Sequence, residues 1–253
     1  MIVNYKEGGW QVITQRAHGI VAVQLAFHWR VKDRPKRWIE TLLAIAEHDD
    51  AENELDGENL VTDAGGPLNF AMKRFELEHT IKMSSMTGTK SRYISLLTSL
   101  HMSFLYEKDM GEIAEAAPFL KEQKKLQEKW RKDLGLSKEE VMIAYDLLEW
   151  CDALSLLICK GDMQPEQRSV EISTGPDKTV YQLVQVDDAK LTIKPWPFET
   201  DNFKIHFEVR LIPQLHFSTS EAFKKAFLAA EIKEQTWTLE KHKVSKPKKV
   251  KVD

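Results

Sequence analysis

The sequence predicts an α+β protein, a mainly helical body over about residues 15–160 with an antiparallel β-sheet in the C-terminal part. Three observations predict it. Apolar residues recur at the 3.6-residue helical period through most of the first 160 positions. After Gly161 the period drops to two, with Phe203, Ile205, Phe207, Val209 and Leu211 alternating with Lys204, His206, Glu208 and Arg210, the pattern of a half-buried strand. Before the helices, Gly8-Gly9 separates Ile2–Tyr5 from Trp10–Ile13, a hairpin placed to join the sheet.

In chain order, helices are expected at 15–31, 36–50, 70–84, 90–108, 112–133 and 138–160. Pro35 suits the first turn of the second helix, and Ser137 with Glu140 forms a capping-box pattern for the longest. Between Ala51 and Leu68 runs an acidic, glycine-containing loop (Glu52, Glu54, Asp56, Glu58, Asp63). Strands follow at 169–173, 179–187 and 190–194, punctuated by Gly175-Pro176 and Asp187-Asp188, then a helix at 219–231 and a strand at 235–240. The chain thus divides into a helical part with its hairpin (1–161), a sheet extension (162–240) and a lysine-rich tail (241–253) that reads as a frayed terminus.

Composition narrows the function. The 253 residues carry 36 Lys and Arg against 39 Asp and Glu, a net charge of −3. That balance argues against a surface built for a nucleic acid duplex. No apolar run approaches a membrane span, and the first residues lack a secretory signal pattern. Cys151 and Cys159 share one helix about 12 Å apart along its axis and cannot pair with each other. The expectation is a cytoplasmic protein that works without a membrane or duplex partner.

The chemistry concentrates in polar residues placed on apolar helix faces. The second helix carries the stripe Trp38, Leu42, Ile45, and Asp49 takes its next position. Asp152 continues Val141, Tyr145 and Leu148 and precedes Ser155, Leu156 and Cys159. His18 shares a face with Val21, Ala22 and Leu25, and His101 with Ile94, Leu97, Phe104 and Leu105. His48 adjoins Asp49, and His79 shares its face with Phe75 and Met83, but also with Lys82. An ionised carboxylate aimed into a core costs several kcal/mol unless it is paired or bound to a cation. One buried polar residue is often only a satisfied core residue. Four from separate helices are hard to satisfy except as a metal site or a polar network. His28, His206, His216 and His242 lie off these faces.

The order His18, His48-Asp49, His79, His101, Asp152 resembles the HD-domain superfamily of metal-dependent phosphohydrolases. The phrases Ile13–His18, Ala46–Asp50, Leu97–His101 and Cys151–Leu156 are similar to a bacterial family of uncharacterised function, over roughly residues 1–160. Members of that family often continue the His-Asp-Asp run with Gly-Trp, where Ala51-Glu52 stands here. The resemblance implies an HD-like helical body with His18, His48, Asp49 and Asp152 on one ion and His79 and His101 able to hold a second, Asp49 bridging the two. Such donors suit Mn, Fe, Zn, Ni or Co without choosing among them.

The activity so implied is hydrolysis of a phosphate ester or nucleotide-like, anionic small molecule by metal-activated water. Asp49 and Asp50 are the catalytic candidates, and Arg16, Lys82, Lys90 and Arg92 are candidate phosphate contacts or ordinary solvated helix cations. Two other readings compete: an HD-type diiron oxygenase, and a non-catalytic protein whose metal or polar network only braces its helices.

Overall fold

The structure is a computed structural model and describes residues 1–50, 54–57 and 59–242. Seven α-helices and a seven-stranded, curled mixed sheet make up the described chain.

The N-terminal hairpin forms as its glycines dictate. Strands β1 (Ile2–Lys6) and β2 (Gly9–Ile13) pair antiparallel around Gly8, whose φ of +85° lies in the region glycine tolerates without strain. Thr14 then caps α1 (Gln15–Phe27), its hydroxyl accepting the Ala17 N–H at 3.0 Å. The sequence predicts this helix to residue 31, but it stops at Phe27. There Trp29 leaves to bridge Phe198, and the Arg34 guanidinium takes the Phe27 and Trp29 carbonyls. His28 closes the helix and stacks on Phe203 with ring centroids 3.8 Å apart.

Helix α2 is Trp38–Ala46 rather than 36–50. Pro35 therefore lies before the helix and not in its first turn, with Arg34 held extended as a residue preceding proline should be. Helix α3 (Leu77–Gly88) starts later than expected because Phe70–Met72 is a separate 3₁₀ turn capped by Asn69. Helices α4 (Arg92–Tyr106) and α5 (Ala116–Asp133) are also trimmed, the residues between them including a 3₁₀ turn at Glu107–Gly111. Helix α6 (Lys138–Lys160) runs as predicted between its capping box at Ser137 and Glu140 and Gly161, at φ +72°.

Strands β3 (Ser169–Thr174), β4 (Val180–Asp187) and β5 (Lys190–Lys194) form a meander. Strand β6 (Asn202–Ile212) buries Phe203, Ile205, Phe207 and Val209 and exposes the residues between them. After α7 (Ser220–Ala229), β7 (Glu231–Glu240) pairs with β6 along its length and enters the gap beside β5. The strand order is β1-β2-β6-β7-β5-β4-β3, so the hairpin joins the sheet through β6. The expectation of an antiparallel sheet is corrected at one place. Because β7 runs against β6, it lies parallel to β5, at Lys190–Thr238 and Leu191–Leu239.

Helices α1 and α6 pack on each other and cover the sheet, α1 over β6 and α6 over β3 and β1. The main core fills this layer with Val21, Leu25, Trp29, Leu148, Trp150, Leu154, Ile205 and Leu239, all below one-tenth exposed. Helix α2 and then α4 pack on the far side of α1 and α6, and α3 and α5 pack on α4. Of the acidic loop, Ala51, Glu52, Asn53 and Glu58 lie outside the described residues, as does the tail from Lys243. Among the described residues no helix is long and apolar enough to cross a membrane.

Candidate metal centre

Four segments meet where α1, α4 and α6 cross beside the end of α2. Helix α1 brings His18, the turn after α2 brings His48 and Asp49, α4 brings His101, and α6 brings Asp152. The three imidazoles are 0–1% exposed and Asp152 is 7% exposed.

The turn after α2 forms for a local reason. The His48 ring folds back and its Nδ1–H donates to the Ile45 carbonyl at 2.8 Å. That carbonyl is the one the Asp49 N–H would take if the helix continued. The helix therefore ends at Ala46, and Asp49 reaches the site from a turn, not from the apolar stripe that predicted it. Helix α1 must come close for His18 to meet this turn. At Gly19 any Cβ would sit 2.4 Å from the Ala46 carbonyl oxygen, so only glycine permits that approach.

Both inner imidazoles have a fixed orientation. The Ser155 hydroxyl donates to the Asp152 backbone carbonyl at 2.8 Å, leaving its oxygen to accept the His18 Nδ1–H at 2.9 Å. With both Nδ1 atoms committed as donors, each Nε2 is turned on carboxylate oxygens. His18 Nε2 lies 3.1 Å from Asp49 Oδ2; His48 Nε2 lies 3.1 Å from Asp152 Oδ1 and 3.5 Å from Asp49 Oδ2. His101 Nε2 is 3.9 Å from Asp152 Oδ2. The rings pack edge to face, His18 on His48 at 4.9 Å and His48 on His101 at 5.0 Å.

A neutral imidazole bound through Nδ1–H offers Nε2 as a bare lone pair, and a lone pair does not rest against a carboxylate. At His48 either a proton or a metal cation must lie between Nε2 and the carboxylate, and without metal it is a proton. Burial alone would push the His48 pKa down, but the charges of Asp49 and Asp152 and its hydrogen bonds to Asp152 and Ile45 outweigh it and hold it up at about 10. Asp49 and Asp152 are held below the carboxylate range, the penalty of burial being overcome chiefly by His48. Burial and the nearby His48 charge lower His101, so it stays neutral.

The same donors fit a metal. Ligands about 2.0–2.2 Å from one ion can lie at most about 4.4 Å apart, and the contacts above span 3.1–3.9 Å. Two overlapping groups could each hold an ion, His18 with His48 and Asp152, and His48 with Asp49 and His101. In neither does any pair of donor atoms exceed 4.8 Å. The Nδ1 atoms of His18 and His48 are tied down as ligating histidines require, whereas that of His101 is buried without a hydrogen-bond partner among the described residues.

The centre opens on a cavity of about 200 Å³ lined in part by Asp49, His101 and Asp152. His79, half-buried on α3, lines this cavity but belongs to neither donor group. The other expected residues sit farther out. Asp50 accepts from Arg16 Nε at 3.1 Å instead of orienting an imidazole, Lys90 pairs with Glu47 at 2.5 Å, Lys82 with Glu78 at 3.4 Å, and Arg92 with Asp133 at 3.9 Å. None of Arg16, Lys82, Lys90 and Arg92 is among the residues lining the cavity.

Several residues the sequence reading did not single out belong to the site. Gln15 Nε2 donates to Asp49 Oδ2 at 3.0 Å, and Glu54 holds the Gln15 N–H at 2.7 Å and the Met1 nitrogen at 2.6 Å. Tyr106 lines the cavity, its phenol pushed up by burial and by Asp49. Lys73, Arg74 and Lys108 line it as well. For Ser155 a signal existed, three residues beyond Asp152 on the same helix face. For the others none did.

Fold and site together define an α+β protein with a buried His/Asp cluster able to hold a metal ion. The chain belongs to the family described as "Protein of unknown function (DUF3891)", which matches residues 1–214. The match takes in every residue of the cluster and ends before α7 and β7. No curated protein and no solved structure matches the chain. Nothing in these comparisons links the family to the HD-domain superfamily.

Proposed function

We propose that this protein is a metal-dependent hydrolase of a phosphate ester, with an HD-like centre formed by His18, His48, Asp49, His101 and Asp152. One observation carries the reading. Two buried imidazoles have their Nδ1 atoms committed to Ile45 and Ser155 and their Nε2 atoms turned on two carboxylates at the edge of a cavity. A brace between helices would have no need of that cavity. The chain order of these donors matches what the HD resemblance implies.

A divalent ion in this centre would lower the pKa of a bound water and neutralise charge on a phosphoryl oxygen. The chain's own groups do the rest. Ile45 and Ser155 hold the His48 and His18 rings in orientations from which Nε2 would meet that ion, and Gln15 steadies Asp49 at the cavity edge. Asp49 is the group placed to take the proton of the attacking water. The water oxygen bonds to phosphorus, the ester P–O bond breaks, and the leaving oxygen takes a proton to become an alcohol.

The test starts from protein purified without added metal, by elemental analysis, followed by phosphomonoesterase and phosphodiesterase assays with Mn, Fe, Co, Ni and Zn supplied separately. The expected result is bound transition metal and a metal-dependent phosphatase activity that Asp49→Ala and Asp152→Ala abolish. Iron with a redox-sensitive absorption band and no phosphatase activity would favour the oxygenase reading. A protein that binds no metal and cleaves nothing would leave the cluster as a brace.

A further inference from the structure

Besides the donors, the cavity wall includes residues of two short 3₁₀ segments. Lys73 closes the turn at Phe70–Met72, and Lys108 lies in the turn at Glu107–Gly111, with Arg74 beside them. Among the described residues neither lysine ammonium makes an ion pair or a hydrogen bond. The other charged groups outside the donor cluster that line the cavity have partners. Glu54 faces the Met1 nitrogen, and Arg74 pairs with Asp109 at 3.6 Å and with Glu112. Asp49 and Asp152 supply two negative charges, which one divalent ion would balance. The ammonium groups of Lys73 and Lys108 remain as two positive charges lining the same cavity as the centre.

We propose that this cavity selects small phosphomonoesters, with Lys73 and Lys108 holding the phosphate oxygens that the centre does not. The inference rests on the metal-centre reading and adds a substrate class to it. A phosphomonoester carries about −1.5 to −2 charges near neutral pH, which two lysines match, whereas a diester carries one. The volume sets the second limit. About 200 Å³ lies below the ~300–1,000 Å³ of cavities that enclose drug-sized ligands. A phosphate with a few carbons fits, the carbons against Phe70, Leu105 and Leu156, and a whole nucleotide does not.

Calorimetric titration of the metal-containing protein with inorganic phosphate tests the anion site directly. Lys73→Gln and Lys108→Gln should each weaken phosphate binding by about tenfold, the loss of one charge-assisted contact, and more together. Lys73→Arg should retain most of the affinity. Metal content by elemental analysis should be unchanged in all four variants, and both lysines are exposed, so melting temperatures should match wild type. In turnover, phenyl phosphate should be cleaved with kcat/KM at least about tenfold above diphenyl phosphate and above a nucleoside monophosphate, with the lysine variants raising KM. Unchanged phosphate binding in the double variant, or a preference for the diester or the nucleotide, overturns the proposal. The two readings fail separately. Bound metal with unaltered phosphate affinity removes the lysine site and leaves the hydrolase. Phosphate binding that needs the lysines in a protein without metal keeps the anion site and removes the hydrolase.

Discussion

The donor cluster beside the cavity is held by helices and a helix-ending turn anchored in the core, with His18, His48 and His101 no more than 1% exposed. Another part of the cavity wall comes from the 3₁₀ turns at Phe70–Met72 and Glu107–Gly111, where Lys73 and Lys108 are exposed. The donor side spends buried hydrogen bonds on holding each atom, from Ile45 and Ser155 to the imidazoles and from Gln15 to Asp49. On the other side the turns are held, Asp109 accepting the Phe75 N–H at 3.2 Å, but the two lysine ammonium groups are not. A cluster of like and unlike charges packed without water must be fixed, because each misplaced group is costly. Cations that meet an arriving anion in water need only reach.

The largest expected effect follows from breaking the rigid side. Asp152→Ala leaves the buried His48 imidazolium with half its compensation, and removing one partner of a buried pair costs about 3–5 kcal/mol. Chemical denaturation of metal-free protein should show a loss of that order, and elemental analysis should show metal lost. Asp49→Ala should show the same pattern less strongly, since its side chain is 20% exposed. A metal-free Asp152→Ala protein as stable as wild type would mean that His48 is neutral there and that the cluster stores no charge.

A second test titrates the same cluster. The His48 pKa rises from its ordinary 6.5 to about 10 on folding. The stability it contributes is therefore complete below about pH 6.5 and disappears as pH climbs towards 10. Asp49 and Asp152 are shifted the opposite way, so their contribution is present above the carboxylate range and lost below it. Metal-free protein should lose stability steadily from about pH 6.5 to 10, read from denaturation midpoints. Metal must displace the His48 proton, so its affinity should rise with pH across that window, with about one proton released per ion bound. Calorimetry in buffers of different ionisation enthalpy measures that proton.

The two walls also differ in how legible they were. Helix α6 was readable to the residue because both its ends are written locally, in the Ser137–Glu140 box and in Gly161. His18, His101 and Asp152 were readable for a related reason, as polar residues interrupting long apolar stripes. Asp49 was reached by an argument whose premise fails, since α2 ends at Ala46 when His48 takes the Ile45 carbonyl. A side chain that caps its own helix leaves no mark on the periodicity. The early end of α1 at Phe27 was hidden similarly, because it depends on a bridge to Phe198 far along the chain. Lys73 and Lys108 could not be picked out from other lysines, since 3₁₀ turns are too short to show a period. Proximity in sequence pointed instead to Lys82, Lys90 and Arg92, which the fold pairs with Glu78, Glu47 and Asp133.

A milder change separates orientation from ligation. Ser155→Ala keeps every metal donor but removes the acceptor of the His18 Nδ1–H. The ring is then free to turn, and loss of such an outer partner typically costs about 10–100-fold in metal affinity. Competition with a chromogenic chelator should place the variant in that range, and Ser155→Thr should restore part of it. An unchanged affinity would show that the surrounding helices alone hold the His18 ring.

The smallest effect is expected at Lys90, and its smallness is informative. Its ammonium lies 2.5 Å from Glu47, next to His48 in the chain, and the two side chains are 32% and 29% exposed. A partly exposed pair of this kind is worth about 0–1 kcal/mol. Lys90→Ala should therefore shift the denaturation midpoint only slightly and leave metal and phosphate affinities unchanged. A melting curve and one phosphate titration beside the Lys73 variant measure both. A drop in phosphate affinity as large as that of Lys73→Gln would mean that the anion enters past Lys90 and not between the 3₁₀ turns. The charge match across the cavity would then have to be drawn from the other face of the donor cluster.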